Sequence, residues 1–318
     1  MKKIALIIFL SSSNLFSQDL LKVDKIVFSY PKITSVKQLV KKIDYDFKTK
    51  LEKARATYTW LALNIKYYKK ASPFLDAPTI NTYTDKEDKK RRIKKLNAAL
   101  ISKTIRSKKA LCKGYAYTFK KVCDLLKIEN QLIFGYAKYS VNMIDFIPKS
   151  KNHVWNAIKI DNKWLFVDPT WGSNNSSDGL LYSRFNEDYF DISHNQLNTT
   201  HFPKNKFWLD FTSQKELSIF CRQPIYNRGL IGKNIELLSP KEGKIIVEES
   251  KNIQLKIKNL HSKTEVLYSY GSKGEIKKAD LNFSKSIVDI YLTGPKKDAN
   301  LNIYFNNELA IQYKVEVR

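Results

Sequence analysis

Over residues 34–68 apolar side chains recur at three- and four-residue spacing, with Leu51, Ala54, Tyr58, Leu61, Ala62 and Ile65 on one stripe. That period predicts helix with a single buried face, and Pro73 and Pro78 close the stretch. Residues 86–108 predict a second, very basic helix. Ala116, Phe119, Val122, Cys123 and Leu126 form a third helical stripe, in a helix that starts near Cys112. After Ile128 the period falls to two. Residues 131–139, 152–160 and 163–168 predict strands, the last two joined by the two-residue turn Asp161-Asn162. Residues 172–186, rich in Gly, Ser and Asn, predict a surface loop, and 189–226 is less regular but aromatic.

The character shifts again at Leu238-Ser239-Pro240. From there to Arg318 the pattern predicts seven or eight short strands, among them 244–247, 253–257, 266–270, 286–292, 301–305 and 311–317, separated by Gly, Asn, Ser and Pro turns. Their length and spacing fit an immunoglobulin-like sandwich, read as a binding or spacer module. The expected fold class is therefore α+β, helices packed on an antiparallel sheet followed by an all-β sandwich. The expected organisation is 1–17 signal peptide, 18–232 first domain and 233–318 sandwich.

Composition supports two cores. The chain has 318 residues, 43% of them hydrophobic, with 18 Tyr and 17 Phe, more than one ordinary core needs and too apolar for disorder. Met1-Lys2-Lys3 followed by the apolar run Ile4 to Leu10 and small residues up to Ser17 has the order of a secretory signal peptide. The run falls short of the roughly 20 residues that span a bilayer, so export to the periplasm or beyond is expected, with no transmembrane segment. The net charge of +25 is spread along the chain. With export, that distribution argues against nucleic acid and makes an anionic cell-envelope surface a candidate partner. Three Cys leave at least one thiol free. Cys112 and Cys123, on one helix at about 1.5 Å per residue, stand roughly 16 Å apart and cannot pair. No two of the four His have metal-ligand spacing, so neither a metal nor any other cofactor is expected.

The candidate chemistry is nucleophilic. A thiol nucleophile needs a base within hydrogen-bond reach and a third group to hold the base's tautomer. Cys112 at a helix start meets unpaired N–H groups and the positive end of the helix dipole, which favour thiolate, as does the neighbouring Lys113. A two-residue loop puts Ile160 opposite Lys163 and Asp168 opposite Trp155, so His153 and Asp168 share a face as diagonal neighbours. The same register adds Trp155, Ala157, Trp164 and Phe166 to that face, and a one-residue slip would separate imidazole from carboxylate. The backbone N–H of Cys112 is one candidate oxyanion donor. Cys123 lies in the middle of its apolar stripe and reads as core.

Ala110-Leu111-Cys112-Lys113-Gly114-Tyr115-Ala116, Asn152-His153-Val154-Trp155-Asn156 and Trp164-Leu165-Phe166-Val167-Asp168-Pro169-Thr170-Trp171-Gly172 resemble the three catalytic motifs of transglutaminase-like cysteine peptidases. Lys53-Ala54-Arg55-Ala56 with Trp60, Asn64-Ile65 and Tyr67, and later Thr200-His201-Phe202-Pro203 with Trp208, are similar to the cytokinesis and kyphoscoliosis-peptidase branch. The resemblance spans about 45–226. It implies a papain-like α+β core with Cys112 as nucleophile, His153 as general base and acid, and Asp168 as orienter. Lys113 and Tyr68 depart from the commoner residues of that pattern without removing a triad member. Tyr67, Tyr115, Trp155 and Trp171 are candidate walls of the substrate cleft. The expected activity is peptidase, amidase or acyl transfer on a protein or peptide amide, hydrolysis being the default because water needs no dedicated site. The rival is a binding scaffold that keeps the fold without turnover.

Overall fold

The computed structural model describes residues 13–68, 82–173, 185–272 and 274–318. The expected signal peptide lies outside them up to residue 12, and the expected 172–186 loop lies outside them between 174 and 184.

The helices come first. After α1 (Ser13–Phe28), the stretch expected as one helix over 34–68 is two, α2 (Val36–Asp46) and α3 (Lys50–Asn64). The break lies at Thr49, whose hydroxyl accepts from the Glu52 N–H at 3.2 Å while the Glu52 carboxylate accepts from the Thr49 N–H at 2.9 Å. This reciprocal pair satisfies donors that a continuous helix would have used, so a new N-terminus forms there. From Ala54 to Ala62 every residue of α3 is buried. The chain then forms β1 (Lys66–Tyr67), α4 (Lys86–Ser107), β2 (Lys109–Ala110) and α5 (Cys112–Leu125), with β1 and β2 paired in parallel.

The sheet strands are β3 (Asn130–Ala137), β4 (His153–Ile160), β5 (Lys163–Val167) and β6 (His201–Pro203), in the order β5-β4-β3-β6. The β4–β5 register runs from Ile160↔Lys163 to Asn156↔Val167, as the two-residue turn requires. Asp161 and Asn162 both have positive φ, 46° and 63°, the conformation that follows the right-handed twist of the strands into a tight hairpin. Strand β5 stops at Val167, one residue short of the expected end, because Asp168 leaves the sheet to cap α6 (Pro169–Gly172). Next come α7 (His194–Thr200), α8 (Lys206–Leu209), α9 (Leu217–Arg222) and β7 (Ile225–Tyr226).

The C-terminal strands are β8 (Glu236–Ser239), β9 (Lys244–Val247), β10 (Ile253–Lys258), β11 (Val266–Tyr270), β12 (Lys277–Lys278), β13 (Asp280–Ser284), β14 (Ile287–Leu292), β15 (Ala299–Phe305) and β16 (Glu308–Val317). One sheet has the order β13-β14-β10-β8; the other has β12-β11-β15-β16-β7, with β9 parallel to β16. The two inner faces share a core that includes Leu255, Ile257, Ile290, Ile303 and Tyr313. Four strands on one sheet, and the third, sixth and seventh main strands together on the other, give the strand order of an immunoglobulin-like sandwich.

By its contacts the chain divides into Met1–Leu132 with Trp155–Asp191, and Ile133–Val154 with Ile192–Arg318. The second unit thus joins β3 and the segment up to Val154 to the sandwich. Within it Lys138 is buried, its Nζ 2.7 Å from Gln223 O and 3.3 Å from Pro224 O at the end of α9. Burial pushes its ammonium down to about 7. Above that pH the folded protein has released a proton that unfolded lysine keeps until near 10.4, so the folded state gains stability as pH rises through this interval. Relative to Lys138→Met, in which the other titrations cancel, urea unfolding should show wild-type stability rising between pH 7 and 9 by up to about 1.4 kcal/mol per unit.

Candidate active site

Cys112 is the first residue of α5 and half-buried, and Leu111 before it supplies no side-chain cap. The first helical bond runs from the Tyr115 N–H to Leu111 O at 3.3 Å, which leaves the N–H groups at the helix start to polarise whatever lies before them. Gly114 is dictated by packing, since a Cβ there would lie 2.6 Å from both Ala110 Cβ and Thr104 Oγ1. One turn beyond Cys112, the Asn156 side-chain N–H donates to Ala116 O at 3.1 Å. A hydrogen bond thus fastens α5 to β4, the strand that begins with His153.

His153 is nine-tenths buried. The residue before it, Asn152, locks that end of the strand with a two-way bond to the Ala137 backbone, 2.8 Å from its N–H and 3.0 Å to its carbonyl. Asp168 is fully buried. Its Oδ1 accepts from the N–H groups of Thr170 at 2.8 Å and Trp171 at 3.2 Å, and its own N–H donates to Tyr189 O at 2.8 Å. These bonds fix the carboxylate, and the side-chain atoms of His153, Asp168 and His201 able to bind a proton or a metal all lie within 4.8 Å of one another.

His201 is the residue that the sequence reading did not place. It begins β6, paired with Ala137 of β3, and its ring centroid is 5.5 Å from that of His153. The Thr200 hydroxyl is 2.8 Å from Gln196 O and 2.7 Å from His201 Nδ1. The Thr200 hydroxyl thus links the His201 ring to the Gln196 carbonyl. Chain spacing could not reveal this neighbour, because strand pairing makes it. The only sequence signal was membership of Thr200-His201-Phe202-Pro203. Spacing along the chain did not suggest this group: two imidazoles and a carboxylate, all buried, lie near enough together that they could hold a metal ion.

The proposed cleft residues separate by burial. Tyr115 is fully buried, its hydroxyl 2.5 Å from Ile65 O and 3.0 Å from Ser173 Oγ, and Trp155 is fully buried too. Both are fully buried, so neither presents its ring to solvent. Tyr67 and Trp171 are half-buried, and Trp171 stands edge-on to Tyr189 at 5.2 Å. Cys123 and Cys221 are buried, and desolvation raises both thiols above their ordinary range. Among the described residues no helix is long and apolar enough to cross a membrane.

A sequence profile of the Transglutaminase-like superfamily matches residues 37–169. The human kyphoscoliosis peptidase is 27% identical over 241 residues, covering 71% of this chain and 33% of its own. The mouse protein of the same name is 26% identical over 212 residues, covering 64% and 29%. The chain thus spans about a third of the length of these curated relatives. A solved structure described as a TGase aligns over 58% of this chain and 41% of its own, with 14% identity and a TM-score of 0.30. With residues 37–169 matched and an immunoglobulin-like β domain after them, the chain carries a domain of the transglutaminase-like superfamily.

Proposed function

We propose that the protein is an exported cysteine acyl-transfer enzyme that cleaves or transfers protein or peptide amides through Cys112, His153 and Asp168. The observation that carries this reading is the buried approach of His153, at the start of β4, to Asp168, just past the end of β5. In the proposed reaction Cys112 Sγ attacks the amide carbonyl carbon while His153 takes the thiol proton. The tetrahedral oxyanion is met by the Cys112 N–H, the C–N bond breaks, and His153 returns the proton to the leaving amine. Water then attacks the thioester, His153 takes its proton, and the thiol and the carboxylic acid are released. An amine in place of water completes a transamidation instead. Water is the default acceptor because it needs no binding groove of its own.

The reading is tested by alkylation with iodoacetamide at neutral pH, followed site by site by mass spectrometry. Cys112 should be labelled at least tenfold faster in the wild type than in His153→Ala, with Cys123 and Cys221 as slow internal controls. Equal Cys112 rates in the two proteins would mean that the imidazole does not activate the thiol, and would leave a scaffold without turnover.

A further inference from the structure

The segment between β3 and β4, residues 138–152, is held firmly from within its own unit and still turns large apolar side chains to solvent. Five attachments hold it. Lys138 Nζ caps the carbonyls of Gln223 and Pro224; Val141 and Ile144 pack with Ile225; and the Asp145 N–H donates to Cys221 O at 3.1 Å. Lys314 of β16 donates its Nζ to Ile144 O at 2.9 Å, and Asn152 bonds Ala137 in both directions at the base. Yet Tyr139, Phe146 and Ile147 are 68%, 58% and 56% exposed. A loose loop would expose apolar groups by default. A loop fixed by the sandwich and by α9 exposes them in a set conformation, so a partner loses little ordering entropy in covering them.

Charge indicates the partner. Lys149 and Lys151 are exposed, Lys151 with its ammonium 5.4 Å from the Phe134 ring centre, and Asp145 is the only acidic residue in the segment. Asn152 leads directly into His153.

We propose that this loop recognises the protein substrate, seating a polypeptide segment in which bulky apolar side chains stand beside carboxylates. The inference rests on the proposed acyl-transfer function for the word substrate, but the surface it names can be tested apart from turnover. It also gives the C-terminal sandwich a function beyond that of a spacer, because Lys314 and the Ile225 strand brace the loop.

The test is fluorescence anisotropy with the full chain carrying Cys112→Ala, so that nothing is turned over. One labelled peptide places two leucines between glutamates; two controls replace the leucines by serine or the glutamates by lysine. The leucine–glutamate peptide should bind best, and its binding should weaken with salt. Adding Phe146→Ser with Ile147→Ser should weaken it about tenfold, as expected for partial burial of two apolar side chains. Adding Lys149→Glu with Lys151→Glu should instead reverse the order of the glutamate and lysine peptides. These four side chains are exposed, so unchanged melting temperatures are expected to accompany the changes. Equal binding of all three peptides, or variants that bind like the parent, would overturn the loop assignment. Failure of the Cys112 labelling experiment would overturn the catalytic reading and leave the binding result standing.

Discussion

Asp168→Asn is expected to lower turnover by about 10⁴-fold while leaving the fold intact. The asparagine side-chain oxygen can go on accepting from the N–H groups of Thr170 and Trp171, so the cap of α6 survives. The change falls on charge and donor character, since a neutral amide with an NH₂ group replaces the carboxylate close to His153. An imidazole that meets a donor turns its lone pair that way and presents the wrong tautomer to the thiol, and the imidazolium formed during reaction loses its counter-charge. The loss should appear in kcat and kcat/KM together, with circular dichroism and melting temperature near wild type. A variant with undiminished turnover would reduce Asp168 to a helix cap.

The second large effect falls on stability. Arg55 of α3 holds Asp24 of α1 in a bidentate pair, Nε to Oδ1 at 2.9 Å and Nη2 to Oδ2 at 2.7 Å, and the Thr59 hydroxyl adds a third donor at 2.5 Å. Both side chains are almost wholly buried, and the guanidinium carbon lies 5.1 to 5.5 Å from the ring centres of Tyr58, Phe185 and Phe190. Asp24→Ala leaves the cation in that apolar ring cage, with the exposed carboxylate of Glu187, 3.6 Å away, as its remaining acidic partner among the described residues. The expected cost is about 3–5 kcal/mol by urea unfolding. Asp24→Leu combined with Arg55→Met should regain most of it, because the cost lies in the unpaired charge and the pair itself is close to neutral against apolar packing. If the single and double variants are equally destabilised, the pair contributes by shape alone.

Particular residues show where the sequence sufficed. The hairpin register followed from Asp161-Asn162 alone, because a two-residue loop admits one pairing and a period of two then fixes which side chains share a face. The expected helix start near Cys112, one turn before the apolar stripe that begins at Ala116, agrees with α5. The sandwich was visible in the spacing of its strands, several of whose limits agree with the structure to the residue, as at Lys244–Val247 and Val266–Tyr270. The break before α3 was also legible, since Thr49 and Glu52 have the capping-box spacing, but the longer apolar period across it hid the signal.

The rest depended on residues far apart in the chain. Nothing in the neighbourhood of Asp24 or Arg55 tells that each is the other's counter-ion. Burial alone separated Tyr115 and Trp155 from Tyr67 and Trp171, and burial depends on which elements close over a side chain. His201 reached His153 through two strand pairings, with β3 between them. The sequence by itself determined most local elements and the β4–β5 register, because periodicity, capping and turn length act over a few residues, whereas Asp168 left the strand to cap α6. Only the tertiary structure decided the second histidine, the buried ion pair and the loop braced by the sandwich, because those contacts arise where the folded chain brings distant segments together.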